Sequence, residues 1–448
     1  MNYIRLFWKL FQLKKNEKIS IEDMKQLQKK KLQGILEHSF ENSKYYRESF
    51  RRAGITSKEQ LRGVSLEQLP VITKQELLTN FDDLITVKDI SQEQMREFDE
   101  QASLEEKTLR GYHVVHSSGS TGKPGYFLYD EKAWENMLIG IIRGALWDMN
   151  LMKIWNLLRK RPKVLFIAAT DGRYGGAMAV GEGLDGVGAK QLQLDINMPT
   201  EIWIKKVREF NPNIIIGYPS AIKILGELVE SGKIQADISM LVSCGEPLSP
   251  GLRHFFEKVF CKDIINFYGA SESLALGIEN SHSDGMILFD DLNIIEALNG
   301  KLYLTCLYNY AQPLIRYEIT DHLVMKTEYE GPFSKAEILL SRSEDLLWFD
   351  LADGSKEFLH PLSVEGICVE GLIDYQFQKT KADSFVMYVQ IDEKFDAYGV
   401  CEKIIDVLRP ILEEKGLGSL EYHLQPVHEI LPDSKTGKKR LILPEKNG

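Results

Sequence analysis

Between residues 160 and 270, short apolar runs alternate with amphipathic stretches, and no other feature of the chain constrains its fold as strongly. The runs at 164–168, 214–216, 240–242 and 264–267 have strand length, and helical stretches at 202–210 and 221–230 separate them. A strand followed by a helix and then another strand is the pattern of an α/β domain with parallel strands. Residues 1–110 read as mainly helical. Leucines and isoleucines recur at three-to-four spacing over 21–40, and a polar turn then leads to Tyr45, Tyr46 and Arg47. After Asn299 and Gly300 the chain turns β-rich, with strands expected near 301–306 and 322–327. A polar stretch at 341–345 sets off a last segment with a strand at 384–390, a helix at 400–412 and a basic, turn-rich tail. The expected fold class is α/β. A large N-terminal domain of parallel-type sheets with helices and a β-rich subdomain is joined by a hinge to a small α+β C-terminal domain.

The 448 residues suffice for two or more cores, and 44% apolar with 27% charged residues is an ordinary globular composition. A net charge of −10 weighs against non-specific nucleic-acid binding. The five cysteines (Cys244, Cys261, Cys306, Cys368, Cys401) form no close pair, which suits reduced thiols and a cytoplasmic location better than a disulfide framework. No apolar run approaches the roughly 18 residues a membrane span needs. At the N-terminus, Arg5 and Lys9 interrupt what would be a signal-peptide core. Tyr3, Phe7 and Leu10 repeat at helical spacing, so the segment reads as an amphipathic helix that docks on the protein's own core, on a membrane surface or on a partner.

The sharpest local signal is the run His116, Ser117, Ser118, Gly119, Ser120, Thr121, Gly122, Lys123, Pro124, Gly125. Three glycines let the backbone approach a ligand, and successive N–H groups in such a turn cradle an anion. The hydroxyls of Ser118, Ser120 and Thr121 and the Lys123 ammonium supply donors matched to a polyphosphate. The run is not a Walker A loop, G-x-x-x-x-G-K-[ST]. Ser117 stands where the first glycine would be, and Lys123 is followed by proline. The loop also lies between two strand-like runs, 112–115 and 126–129, instead of opening a helix.

This loop resembles the phosphate-binding signature of the acyl-adenylate-forming superfamily of AMP-binding enzymes, and four further matches follow in order. With Tyr45, Tyr46 and Arg47 ahead of the loop, the resemblance is to the branch of phenylacetate–CoA ligases and capsule-biosynthesis-type adenylating proteins. Tyr268, Gly269, Ala270, Ser271 and Glu272 follow a strand-like run. Tyr268 can stack on a base, and Glu272 is a hard oxygen ligand suited to Mg2+ on ATP phosphates; the resemblance assigns them those roles. Asp321, after Arg316 and Tyr317, matches the aspartate that accepts from the ribose hydroxyls, a task for a carboxylate. The run Ser341, Arg342, Ser343, Glu344, Asp345 resembles the family hinge. There Arg342 would reach ribose or phosphates and Glu344 would be the pivot, with serine and glutamate replacing the family's glycine and first aspartate. The tail from Pro432 to Gly437 and Lys438 resembles the mobile loop that delivers the adenylation lysine, with Lys435 and Lys439 as competitors of Lys438. The implied domains are 1–342 for adenylation, with 1–110 as helical lead-in, 343–345 as hinge, and 346–448 as a small mobile domain.

The resemblance implies ATP-dependent activation of a carboxylic acid as acyl-AMP, then transfer to the thiol of CoA or to a carrier-protein phosphopantetheine. A non-catalytic nucleotide-binding relative is the third reading. ATP, Mg2+ and CoA (or phosphopantetheine) are the expected cofactors, with no nucleic acid and no transmembrane segment. Lys438, Lys123, Glu272 and Arg342 would be catalytic. Ser117 to Lys123, Glu246, Tyr268, Gly269, Ala270, Asp321 and Arg342 would hold nucleotide. The acid would lie against 170–176, Tyr218, Pro219, Gly245 and Ala270. Tyr174 and Tyr218 would suit an aromatic acid and serve equally as packing residues. His282 and Cys306 do not complete a four-ligand zinc set, and no structural zinc is expected.

Overall fold

A computed structural model describes residues 3–101, 106–116, 125–159, 162–168, 178–179, 181, 189–195, 198–319, 321–340, 347–350, 356–359, 364, 367, 369–414, 416–431 and 441–443. The chain divides into two compact units. The first comprises Met1–Glu246, Phe256–Ile319 and Leu323–Ile338; the second comprises Pro247–Phe255, Thr320–His322 and Leu339–Gly448.

The lead-in is helical, as its periodicity predicts: Tyr3–Asn16, Ile21–Asn42, Lys44–Arg52, Lys74–Thr79, Phe81–Leu84 and Gln92–Gln101. Ser43 is the whole of the polar turn before Tyr45. Its N–H donates to Ser39 O at the end of one helix, and its hydroxyl accepts from Tyr46 N at the start of the next. The first helix docks on the protein's own core. Arg5 and Lys9 pair with the buried Glu135, and Lys14 Nζ donates to the carbonyls of Leu146 and Trp147 at the C-terminal end of helix Glu131–Ala145. Among the described residues, no helix is long and apolar enough to cross a membrane.

The strands are, in chain order, β1 (His113–His116), β2 (Tyr126–Tyr129), β3 (Lys163–Ala168), β4 (Lys190–Asp195), β5 (Ile214–Gly217), β6 (Met240–Cys244), β7 (Ile264–Ala270), β8 (Ser273–Glu279), β9 (Met286–Leu288), β10 (Asn293–Leu298), β11 (Lys301–Cys306), β12 (Tyr317–Ile319), β13 (His322–Met325) and β14 (Lys335–Leu340). The main sheet runs β13-β14-β9-β8-β7-β6-β5-β3-β4. From β4 to β7 all pairings are parallel, and helices Thr200–Phe210, Pro219–Glu230 and Pro250–Phe260 lie between successive strands in the chain. From β7 onward β8, β9 and β14 add antiparallel. β1 and β2 form a separate antiparallel pair, and β10-β11-β12 a third sheet.

At the centre of the first unit Arg143 and Asp291 form a bidentate pair with both side chains fully buried, at 2.6 and 2.9 Å. Asn16 donates to the same carboxylate, and Lys31 Nζ to the Asp291 carbonyl. The guanidinium lies over the rings of Phe289, Phe333 and Trp147. Three helices and the chain entering β10 thus meet on one ion pair, which holds the Asp291 carboxyl below its ordinary range against the opposing effect of burial.

The second unit contains β15 (Leu347–Asp350), β16 (Lys356–Leu359), β17 (Leu372–Lys381), β18 (Ser384–Ile391), β19 (Glu421–Val427) and β20 (Ile442–Leu443). Its four-stranded sheet runs β19-β18-β17-β20. Helix Ala397–Glu414 buries Val400, Ile404, Leu408 and Leu412, spaced by four along one face, in the core that contains Phe377 and Phe385.

Arg143→Ala would leave the Asp291 carboxylate buried without its counter-ion. A loss of about 3–5 kcal/mol is expected for such a break. Denaturant titration checks it; an unchanged midpoint would contradict the central role of the pair.

Candidate active site

The parallel strands β5, β6 and β7 end side by side, with Gly217 paired to Ser243 and Cys244 to Phe267. Their C-terminal ends open directly into the predicted site residues: Tyr218 and Pro219 after β5, Gly245 and Glu246 after β6, and Tyr268 to Ala270 at the end of β7. Ligands of open α/β sheets bind at this edge. Pro219 begins helix Pro219–Glu230, and Ser220 N in its first turn donates to Glu246 Oε2 at 3.1 Å. The other Glu246 oxygen and the Ser220 hydroxyl are buried without a hydrogen-bond partner among the described residues. Such orphaned polar atoms are what a bound ligand would satisfy. The Tyr218 ring packs on Gly245, whose φ of +78° and lack of a side chain allow that contact. Tyr218 is therefore both buried packing and a wall of this edge.

The expected loop at 268–272 is tighter than the sequence suggests. β7 continues to Ala270, which pairs with Ser273, so the turn consists of Ser271 and Glu272. Gly269 is needed there because a Cβ would collide with the Leu274 carbonyl across the hairpin. Tyr268 is 5% exposed and paired with Gly277.

That turn is tied to the β1–β2 pair. Tyr129 Oη donates to Ser271 O at 2.8 Å, and Ser271 Oγ donates to His116 O at 3.2 Å. Burial first, with Cys306 and the Glu272 carboxylate adding, holds the Tyr129 pKa well above the ordinary phenol range, so its hydroxyl stays a donor. Glu272 acts in the same direction on Tyr317, where burial is again the main cause. Glu272 thus follows directly on Ser271, whose hydroxyl is bonded to the base of the 117–124 loop at His116. The loop, 117–124, is outside the described residues, but its flanks His116 and Tyr126 are paired. The other side of β2 is held by Gln312, which accepts from Leu128 N and donates to Tyr126 O, and by Asn309, which donates to Leu128 O.

Arg316 and Tyr46 prove structural. Arg316 pairs with Glu296 and donates to the carbonyls of Glu67 and Leu69, while Tyr46 Oη donates to Pro313 O and accepts from Ile315 N. These bonds fasten the helical lead-in to the segment entering β12. Asp321 lies between β12 and β13. Lys123, Tyr174, Arg342, Glu344 and Lys438 fall outside the described residues, as does the rest of the 170–176 stretch. Sequence reading missed the parts played by Tyr129, Ser271, Asn309 and Gln312. Only Ser271 had a signal, its place inside the quoted Tyr-Gly-Ala-Ser-Glu run. A magnesium ion fits the donor set, since Glu272 offers a hard carboxylate oxygen and phosphate oxygens would supply others. Among the described residues no group of three or more His, Cys, Asp or Glu is placed to hold a metal ion.

Residues 185–289, which carry β4 to β9, match the family described as AMP-binding enzyme. The chain is 25% identical over 355 residues to phenylacetate-coenzyme A ligase of Aromatoleum evansii, covering 74% of this chain and 73% of that protein. It is also 25% identical over 354 residues to phenylacetate-coenzyme A ligase of Escherichia coli (strain K12), covering 74% of each. Protein CapK of Staphylococcus aureus is 22% identical over 450 residues, covering 94% of this chain and 89% of that protein. Among solved structures, 2-hydroxyisobutyryl-CoA ligase in the postadenylation state in complex with R3-HIB-AMP shares the fold. Its TM-score is 0.70 at 17% identity, over 96% of this chain and 91% of that one. The chain thus carries a domain similar to the AMP-binding enzymes over residues 185–289. Over most of its length it is similar to phenylacetate-coenzyme A ligases and to CapK.

Gly269→Ala places a methyl group against the Leu274 carbonyl. An overpacking cost of about 1–3 kcal/mol is expected, seen as a lower melting temperature. A melt indistinguishable from wild type would contradict the close hairpin.

Proposed function

We propose that this chain is an AMP-forming acid–thiol ligase that activates an aryl carboxylic acid as its acyl-adenylate and transfers the acyl group to CoA. One observation carries the reading: the Ser271–Glu272 turn and the stem of the phosphate loop are bonded to each other at the ligand-binding edge of the parallel sheet. The names of the phenylacetate-coenzyme A ligase relatives support the aryl acid and the CoA acceptor, and Tyr218 at the sheet edge suits an aromatic ring.

Adenylation brings a carboxylate against the α-phosphate of ATP, two anions that repel. Positioned cations and hydrogen-bond donors must therefore supply most of the catalysis. Ser117 to Lys123 would cradle the phosphates and Tyr268 would stack on adenine. Glu272 would hold Mg2+, which neutralises phosphate charge when bound. Asp321 would accept from the ribose hydroxyls and Arg342 would reach ribose or phosphate. Lys438 would bridge the carboxylate and the α-phosphate, and rotation of the small domain about Glu344 would then clear the way for the thiol. The acid would lie against Tyr174, Tyr218, Pro219, Gly245 and Ala270.

Pyrophosphate release measured across aryl, short-chain and amino acids is expected to respond to aryl acids; no response to any acid would refute the reading. Comparing CoA with a phosphopantetheinylated carrier as acceptor should favour CoA. Lys438→Ala is expected to cut adenylation at least about 10²-fold, the scale of losing one key electrostatic donor, and a normal acyl-adenylate burst would reject that lysine. Glu344→Pro should impair thioester formation more than adenylation, whereas equal loss in both would argue against the hinge.

A further inference from the structure

Two helices that the proposed chemistry does not use, Tyr3–Asn16 and Leu151–Arg159, carry the exposed tryptophans of the described residues. Trp8 is 58% exposed and Trp155 61%, whereas Trp134 and Trp203 are buried. A large apolar ring left in water marks a contact surface. Both helices are held from the opposite side, where Leu10 and Ile154 are buried. The outward stripe of the first helix is Arg5, Trp8, Gln12 and Lys15, at helical spacing on one face. That of the second is Met152, Trp155, Asn156 and Arg159, at the same period. Neither helix contains an acidic residue: the first has Arg5, Lys9, Lys14 and Lys15, the second Lys153 and Arg159. The chain as a whole has a net charge of −10, so the two helices reverse the sign of their host. Both are brought to the same end of helix Glu131–Ala145. Lys14 donates to the carbonyls of Leu146 and Trp147, and Asn150 caps the start of the second helix by accepting from Lys153 N. The acid in the short connection, Asp148, accepts from Asn280.

We propose that the outward faces of these two helices dock the protein on an anionic phospholipid bilayer, lying at the level of the headgroups without crossing it. An indole suits that depth, since its ring enters the apolar boundary while its N–H stays wet. Met152, 75% exposed one turn from Trp155, adds apolar area beside it. The exposed cations of the two stripes meet the negative headgroups, and the acidic remainder of the chain is repelled by them, so this face leads on approach. The inner faces stay on the core, so docking requires no rearrangement of either helix. No residue of the proposed nucleotide site enters this surface.

The test is co-sedimentation of the full chain at low salt with phosphatidylcholine vesicles carrying about one-third phosphatidylglycerol, compared with pure phosphatidylcholine vesicles. Binding to the anionic vesicles is expected to be at least about tenfold tighter, because each surface cation adds several-fold. Trp8→Ala and Trp155→Ala should each weaken it about three- to tenfold, and the double variant more than either. Lys15→Glu combined with Arg159→Glu should weaken it at least about tenfold. Tyr398→Ala, at a position 72% exposed in the other compact unit, should bind as wild type does. A measurement on the unaltered chain guards against misfolded variants: lipids brominated on their acyl chains should quench its tryptophan fluorescence. A wild-type chain left in the supernatant, equal binding to both vesicle types, or tryptophan variants indistinguishable from Tyr398→Ala would overturn the proposal. Self-association through the tryptophans, or retention on an acidic carrier protein, without vesicle binding also overturns it and assigns the face to that occupant.

Discussion

The site depends on a reciprocal pair of hydrogen bonds around Ser271: its carbonyl accepts from Tyr129 and its hydroxyl donates to the carbonyl of His116. Each bond contributes only about 1 kcal/mol net. Their importance is geometric, because they fix a two-residue turn carrying Glu272 against the β1–β2 stem from which the 117–124 loop departs. Burial keeps Tyr129 protonated, so the donor persists across the ordinary pH range. The turn itself owes its tightness to Gly269, which lets the two backbones of the β7–β8 hairpin approach.

Around that joint the remaining structure acts as a frame. Asn309 and Gln312 hold β2, Tyr46 and Arg316 fasten the helical lead-in to the chain entering β12, and the buried Arg143–Asp291 pair gathers three helices. The parallel half of the main sheet supplies strand ends for a ligand. The antiparallel half, beginning at β8, supplies the turn that carries the acidic residue.

Much of this was legible in the chain. Alternating runs announced β3, β5, β6 and β7, and the strand-like flanks of the phosphate loop became β1 and β2. Helix Ala397–Glu414 showed its apolar spacing openly. Local pattern misplaced the end of β7, because Tyr-Gly reads as a turn while Tyr268 and Ala270 are still laddered to β8 on either side of an irregularity at Gly269. Long-range polar ties left no trace at all. Asp99 meets a residue 17 positions away, Gln312 one 184 away, and Arg143 one 148 away, each through a single side chain with no periodic signature. Arg316 drew notice as part of a motif, and its guanidinium turned out to bind backbone and Glu296.

The central claim is that one nucleotide site is built on the loop stem and the Ser271–Glu272 turn. A crystal structure of the chain grown with ATP and Mg2+ tests it most directly. The account predicts phosphates over the His116–Tyr126 stem, a metal ion within coordination distance of the Glu272 carboxylate, and the adenosine over the ends of β6 and β7. Nucleotide bound anywhere else on the chain, or Glu272 remote from the metal, would contradict it.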